Sequence, residues 1–562
     1  MSKHENYQNR LKQIAADSGH IRSVCVQSQF DSNGLIADEG ARLAAIEAAA
    51  AASPLFEALG DHAGGVATSW GTALHEYVET YGCMPSDDML ASAASSLRNI
   101  TAGLSNGNSK MLESVKASIE TTEGQEFRAR QAGLILPVLL MAATSDAATF
   151  IPAGANETEI FRIRRHAGST FGDYTRDEEI GEFSHGQYTQ LDQLYAFPAD
   201  QQPDGTKKTF TYDSSSAGPA IKVPFYKGSV KVMVDRRECV TEANQEGKLF
   251  GTAHRDGKEY TINGDIQYAK GIVTLTTSEA LPAGVRLHLG YDVDIELQPE
   301  LIPTITHKIT SVKLRPHQSV IAAEHTIQAY WMLNREFSLD LRSMQMSQMR
   351  NVLAYEKDVK NLRKMIFSAA RRDTFDLTIP DGLAFREHWE MLGRSLSVIS
   401  SRFLADTKVS GLVGMYCGVE AMAVIKALGS QFFTPVAGYR QVPRVHYCGI
   451  LFGMYKVFEV PVEIEAVKGD PETKLGKWDC LCYARGESHT DAGIVNGDAV
   501  PATMYSHTTS KELKDRNTLW ELAYCDIHPD NGAAFFSILS LLPAKNDPKQ
   551  EVKKAAAVSE SA

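Results

Sequence analysis

The chain has 562 residues, 43% apolar, 22% charged and 8% aromatic, with 57 basic against 69 acidic side chains and a formal charge of −12. These are the proportions of a folded protein long enough for about three to five units, with no need of disulfide or metal staples. The acidic balance excludes a surface that grips phosphates all over, and the most apolar stretch, residues 132–143 (AGLILPVLLMAA), is too short to span a membrane and contains Pro137.

Residues 1–133 are rich in alanine, serine, glutamate and asparagine. Residues 41–52 (ARLAAIEAAAAA) predict a helix that starts after the Ser32-Asn33-Gly34 turn. With little large apolar surface, this segment reads as an arm, a partner-binding helical region or a removable leader. From Leu134 the composition changes, and Ile160-Phe161-Arg162-Ile163-Arg164-Arg165 alternates as a strand does. Residues 207–297 look all-β. Residues 272–276, 285–289 and 293–297 each carry apolar side chains at period two, separated by Pro282-Ala283-Gly284 and Gly290.

Residues 317–379 contain neither proline nor glycine and are bracketed by Pro316 and Pro380. Ile327, Trp331, Phe337, Leu341 and Met344 recur at mostly helical spacing, as do Val352, Val359, Leu362 and Ile366. This predicts one long helix or a helix-break-helix. A second amphipathic helix carries Phe385, Trp389, Leu392, Leu396, Ile399 and Phe403, and a short third one over 419–428 stops at Gly429. Strands follow at 449–458, 478–485 and 519–526, and a lysine-bearing polar tail begins at Pro543.

The chemical motifs are weak. Gly103-Leu104-Ser105-Asn106-Gly107 matches the nucleophile elbow of hydrolases. That chemistry needs a strand before the serine and a helix after it, whereas 91–100 reads as helix and Asn108-Ser109 as loop. Asp292, Asp294 and Glu296 share one face of a strand read as solvent-facing, too few oxygens for calcium. Asp31-Ser32-Asn33-Gly34 fails as a calcium loop at Leu35. Gly411-Leu412-Val413-Gly414 lacks the lysine of a phosphate cradle. Cys480 and Cys482 are neither a CxxC motif nor part of a disulfide framework. The sixteen histidines form no zinc pattern, and His388 and His446 read as surface or satisfied core residues. MSKHENYQNRLKQ has no signal-peptide core, so synthesis in a reducing cytoplasm is expected. No catalytic residue, cofactor or metal site is read.

The order of the second half resembles a known family, the major capsid proteins of tailed double-stranded DNA bacteriophages with the Hong Kong 97-type fold, most of all the T-even branch. Five stretches carry the likeness. Residues 142–163 (AATSDAATFIPAGANETEIFRI) hold the turn Pro152-Ala153-Gly154. Residues 319–366 are similar to the spine helix, with Ala323-Glu324 near its start. Residues 388–429 resemble the helices of the axial domain. Residues 449–461 (GILFGMYKVFEVP) end in Lys456, Val457 and Pro461. Residues 478–501 hold Asp491-Ala492-Gly493 and Val500-Pro501, although the family's tyrosine-rich strand does not follow.

The resemblance implies an α+β fold: a long spine helix against a β-sheet, an axial α/β domain, an extended N-arm and E-loop, and an inserted β-rich domain. It implies a helical leader or N-arm at 1–133, N-arm and E-loop at 134–206, a β-rich insertion at 207–297, and a peripheral domain with the spine helix at 298–380. An axial domain at 381–475, return strands at 476–542 and a tail at 543–562 complete the division.

The function implied is a non-enzymatic subunit of the icosahedral head, made in the host bacterial cytoplasm and residing in the virion. Its partners would be copies of itself in hexamers and pentamers, decoration or cement proteins, portal, scaffold, and packaged double-stranded DNA without sequence-specific contacts; no membrane is involved. An encapsulin-like compartment and a tail-sheath protein are structural alternatives, and a serine hydrolase using Ser105 is the alternative of another class. The family's maturation proteases cut after glutamate in L-x-E contexts, which marks Glu57 in Leu55-Phe56-Glu57 as a cleavage candidate. Leu74-His75-Glu76 and Leu519-Trp520-Glu521 match the same pattern.

Overall fold

The computed structural model describes residues 3–31, 34–36, 38–102, 132–151, 157–181, 186–215, 221–243, 246–255, 257–337, 341–380, 382–436, 438–486, 491–509 and 514–543. The chain divides into two units, residues 162–310 and the remainder.

The larger unit opens with helices α1 (Lys3–Cys25), α2 (Glu39–Ala51), α3 (Ala63–Tyr81), α4 (Asp87–Ala102) and α5 (Ile135–Met141). The cap of α2 is Asp38, whose carboxylate accepts the Ala41 amide hydrogen at 2.9 Å, rather than the earlier turn read from the sequence. These helices do not stand apart as a weakly packed arm. Ile21, Val24, Ile46, Phe56, Trp70, Leu74, Leu90 and Leu97 are buried in one cluster with Leu362, Leu396, Met415, Phe458 and Ile538. The alanines that look like missing core are what let the helix backbones approach closely. Trp70 anchors the layer, fully buried and donating Nε1–H to the Ala132 carbonyl at 2.9 Å.

Further along lie α6 (Ile327–Phe337), α7 (Leu341–Ser368), α8 (Phe385–Thr407) and α9 (Val419–Lys426). The stripe predicted for 385–403 is the buried face of α8, with Trp389, Leu392, Leu396, Ile399 and Phe403 inside, while Phe385 is exposed. A seven-stranded sheet runs in the order Arg372–Asp376, Phe536–Leu542, Asp479–Ala484, Leu412–Gly418, Tyr455–Val460, His446–Leu451, Phe433–Pro435. The stretch expected as one strand over 449–458 is a hairpin. Leu451 pairs with Tyr455, and in the loop between them Phe452 and Gly453 both take positive φ, as the central residues of a primed turn do, with the Met454 amide donating to the Leu451 carbonyl at 3.1 Å.

A four-stranded sheet has the order His317–Thr326, Lys514–Ile527, Ile494–Thr509, Ala148–Phe150. Here the sequence misleads. Residues 317–326 form a strand, paired antiparallel from His317↔Ala523 to Thr326↔Lys514, not the start of the long helix. The pairing supplies every second backbone group with a partner and overrides the helix preference of Ala322, Ala323 and Glu324.

The smaller unit is an eight-stranded antiparallel sheet in the order Asp192–Ala196, Leu287–Asp292, Lys231–Val234, Arg237–Ala243, Lys248–Arg255, Lys258–Gln267, Ile272–Thr277, Thr209–Asp213. The sheet curls: the rings of Phe197 and Tyr212, reached from its opposite edges, are 5.5 Å apart. It owns its core, with Phe210, Tyr212, Phe225, Val273, Leu275, Leu289 and Tyr291 inside. Ala167, Phe171, Tyr174, Tyr188 and Phe197 belong to that core, so the unit begins well before residue 207. Residues 293–297 are not a strand. Asp294 Oδ1 accepts the amides of Glu296 and Leu297 at 3.1 Å, an Asx-type turn that uses the acid locally. Strands Thr158–Ala167 and Ile305–Leu314 pair as a two-stranded ribbon, and the second is exposed along most of its length.

Candidate assembly surface

Helix α7 has 28 residues and spans about 42 Å. Met349 and Leu353 pack on Leu519 of the four-stranded sheet, and beyond them the contact is polar. Lys357 Nζ lies 3.1 Å from Asp498 Oδ1 and also pairs with the fully buried Glu521. At the next residue, Asp358 Oδ1 accepts the Thr144 amide hydrogen at 3.1 Å and its hydroxyl hydrogen at 2.6 Å. Asn361 Nδ2 donates to the same hydroxyl oxygen at 2.9 Å, and Lys364 pairs with Asp526. Positions 357, 361 and 364 lie on one helix face, so these anchors fix both the rotation and the height of α7.

Burial pushes the Glu521 carboxyl up to about 7, with Lys357 opposing and the Asp498 charge adding to the rise. Between the ordinary carboxylate range and about 7, the folded chain therefore holds a proton that the unfolded chain has released. Stability falls as pH rises through that window, by on the order of 2 kcal/mol. Urea unfolding at about pH 5 and about pH 7.5 should show this loss, and Glu521→Gln should remove it; an unchanged slope in the variant would refute the assignment.

Next to this helix in the chain lies a surface that is exposed among the described residues. The outer edge of His317–Thr326 has no strand partner among the described residues, and Val320 on it is 60% exposed. Helix α6 follows directly. None of its described side chains is buried, and Ile327, Trp331 and Met332 all face solvent, Trp331 at 58% exposure. The Arg335 guanidinium lies 4.8 Å from the Trp331 ring centroid. An isolated helix of 11 residues is marginal in water, and an open strand edge invites pairing. Together they form a surface that another chain would complete.

Sequence reasoning placed Ile327 and Trp331 on a helix by their spacing, and the structure leaves both exposed. Lys357, Asp498 and Glu521 were not read as partners, Glu521 being noted only within Leu519-Trp520-Glu521; a lysine on a helix face that also carries Leu353 was the available signal. His388 is a buried core residue, its Nε2 3.0 Å from the Asp376 carbonyl oxygen. Gly411-Leu412-Val413-Gly414 leads into a sheet strand. Cys480 and Cys482 are buried free thiols. Ser105, Ser32, Asn33 and the lysine-bearing tail lie outside the described residues. Glu57 is exposed at the start of a short 3-10 turn, Glu57–His62, while Leu55 and Phe56 before it are buried and Phe56 packs edge-on against Trp70 at 5.4 Å.

Residues 2–142, from before α1 to just past α5, match a family described as a domain of unknown function, DUF8615. Protein IncB of Escherichia coli is 35% identical over 179 residues, 30% of this chain and 86% of that one. Among solved structures, the chain is similar to a protein of the jumbo bacteriophage PhiKZ capsid, at 6% identity and a TM-score of 0.32, over 70% of this chain and 91% of that one. A chain of Mycobacterium phage Che8 matches at 10% identity and a TM-score of 0.28, over 56% and 85%. A chain from the head of Helicobacter pylori bacteriophage KHP40 matches at 9% and 0.29, over 42% and 77%. No helix among the described residues is long and apolar enough to cross a membrane.

Proposed function

This chain belongs to the family of Escherichia coli protein IncB, and we propose that its role is structural: it is the shell-building subunit of a bacteriophage head. The observation that carries the reading is the exposed apolar surface of α6 beside a strand edge that has no partner among the described residues, a surface that a further copy of the chain would cover. The order of elements supports it. A long helix lies across a four-stranded sheet, an α/β unit with a seven-stranded sheet follows, and a ribbon and a separately cored β unit interrupt the chain. This is the sequence of parts that the Hong Kong 97-type resemblance implies, with α7 as spine, the seven-stranded sheet as axial domain and 162–310 as an insertion in the E-loop position.

On this reading copies of the chain close into an icosahedral shell around double-stranded DNA, with portal, scaffold and decoration proteins as further partners. Stability of such a shell is collective and largely kinetic. Light scattering on the purified chain tests the reading: particles of many subunits support it, and a monomer at all concentrations and salt conditions refutes it.

Maturation cleavage at Glu57 would have a structural condition. A protease needs an extended segment, and Leu55 and Phe56 are held in the core, so a cut there must precede docking of α1 and α2. The expected intact mass of subunits from assembled particles is that of the full chain; a new amino terminus at Ala58 would establish cleavage before folding.

A further inference from the structure

The hairpin of His446–Leu451 and Tyr455–Val460 gathers three side chains outside the surface described above. Register sets His446 opposite Glu459, and an irregularity between Tyr447 and Gly449 brings Cys448 to the same carboxylate. His446 Nε2 lies 3.4 Å from Glu459 Oε2, Cys448 Sγ lies 3.9 Å from that oxygen, and the three ligand atoms fall within 4.8 Å of one another. Tetrahedral zinc with bonds of about 2.0–2.3 Å sets its ligand atoms about 3.3–3.7 Å apart. Cys448 and Glu459 are buried. Cys417, a further buried thiol, stands level with Glu459 on the adjoining strand.

The surroundings are arranged as around a metal. His446 Nδ1 is 2.9 Å from the Arg444 carbonyl oxygen, and a ring that donates there presents the Nε2 lone pair to the site. Gln441 Nε2 donates to the other Glu459 oxygen at 2.9 Å. The Nε2 lone pair and a carboxylate oxygen then face each other, with the Tyr439 hydroxyl 3.4 Å from Nε2 and 3.1 Å from Glu459 Oε2, and the buried carboxylate charge is balanced by a cation beside it. Lys426 is that cation here, paired with Glu459 and with the Tyr439 hydroxyl.

We propose that His446, Cys448 and Glu459 bind zinc, with Lys426 as the resident cation that zinc displaces. On binding, the Cys448 S–H bond breaks, its proton leaves to solvent and an S–Zn bond forms. The imidazole and carboxylate add their lone pairs, water takes the fourth position, and the Lys426 ammonium swings away with its charge unchanged. The bound ion would cross-link the two strands of the hairpin.

The test is equilibrium dialysis of the full chain against micromolar free zinc, read by elemental analysis. One zinc per chain is expected. His446→Gln and Cys448→Ser should each weaken binding by about 10–100-fold, and Lys426→Met should tighten it by about tenfold. Because a buried substitution can unfold the sheet, cobalt(II) added to the unaltered chain gives an independent reading, with a thiolate-to-cobalt charge-transfer band expected. Failure of both the unaltered chain and Lys426→Met to retain zinc, or a cobalt spectrum without that band, overturns the proposal.

Discussion

Replacing Trp331 with aspartate is expected to abolish assembly and leave the subunit folded. The indole is 58% exposed and stacks with Arg335 on its own helix, so the substitution takes nothing from the core and should change subunit stability by no more than about 0.5 kcal/mol. At an interface the same ring would be an anchor, and losing one costs about 2 kcal/mol or more at each contact. A shell repeats that contact in every copy, so the loss compounds. Light scattering and thermal unfolding of Trp331→Asp decide it together: monomers with an unchanged melting temperature are expected. Particles equal to those of the unaltered chain would show that α6 faces no neighbour.

Excising residues 169–303 is expected to leave both pieces folded. The Gly168 amide donates to the Thr304 carbonyl at 2.7 Å, and the strands on either side pair with each other. A two-residue Asn-Gly linker therefore closes the gap as a hairpin. Among the described residues, none of the excised stretch belongs to the core of the larger unit, and the smaller unit's core is drawn from residues 167–301. Circular dichroism and calorimetry should show one cooperative transition for the shortened chain and another for residues 162–310 alone. An insoluble shortened chain would place the β unit within the body's core. Cutting at 207 and 297 instead should fail, because it strands Asp192–Ala196, which pairs with Leu287–Asp292.

The elements that the sequence announced are those whose pattern is local. The stripe of α8 repeats inside one helix, and Val273 and Leu275 alternate inside one strand, so periodicity alone identifies both. His317–Thr326 is different. Its residues favour a helix, and its pairing partner lies about two hundred positions later in the chain, so the deciding interaction is invisible locally. The alternation of Ser319, Ile321, Ala323 and His325 as its less exposed face was the trace available. The polar anchors of α7 and the His446, Cys448 and Glu459 set follow the same logic. They meet through sheet register and helix docking, and no spacing within a motif records that. Alanine misled in the opposite sense: its small side chains suggested a missing core in α1 to α4, where they mark close helix packing.

Electron microscopy of particles formed by the purified chain tests the central claim most directly. Closed shells are expected, with α6 and the edge of His317–Thr326 buried against a second copy of the chain in the reconstruction. Dispersed single subunits, or assemblies in which Trp331 stays in solvent, would contradict it.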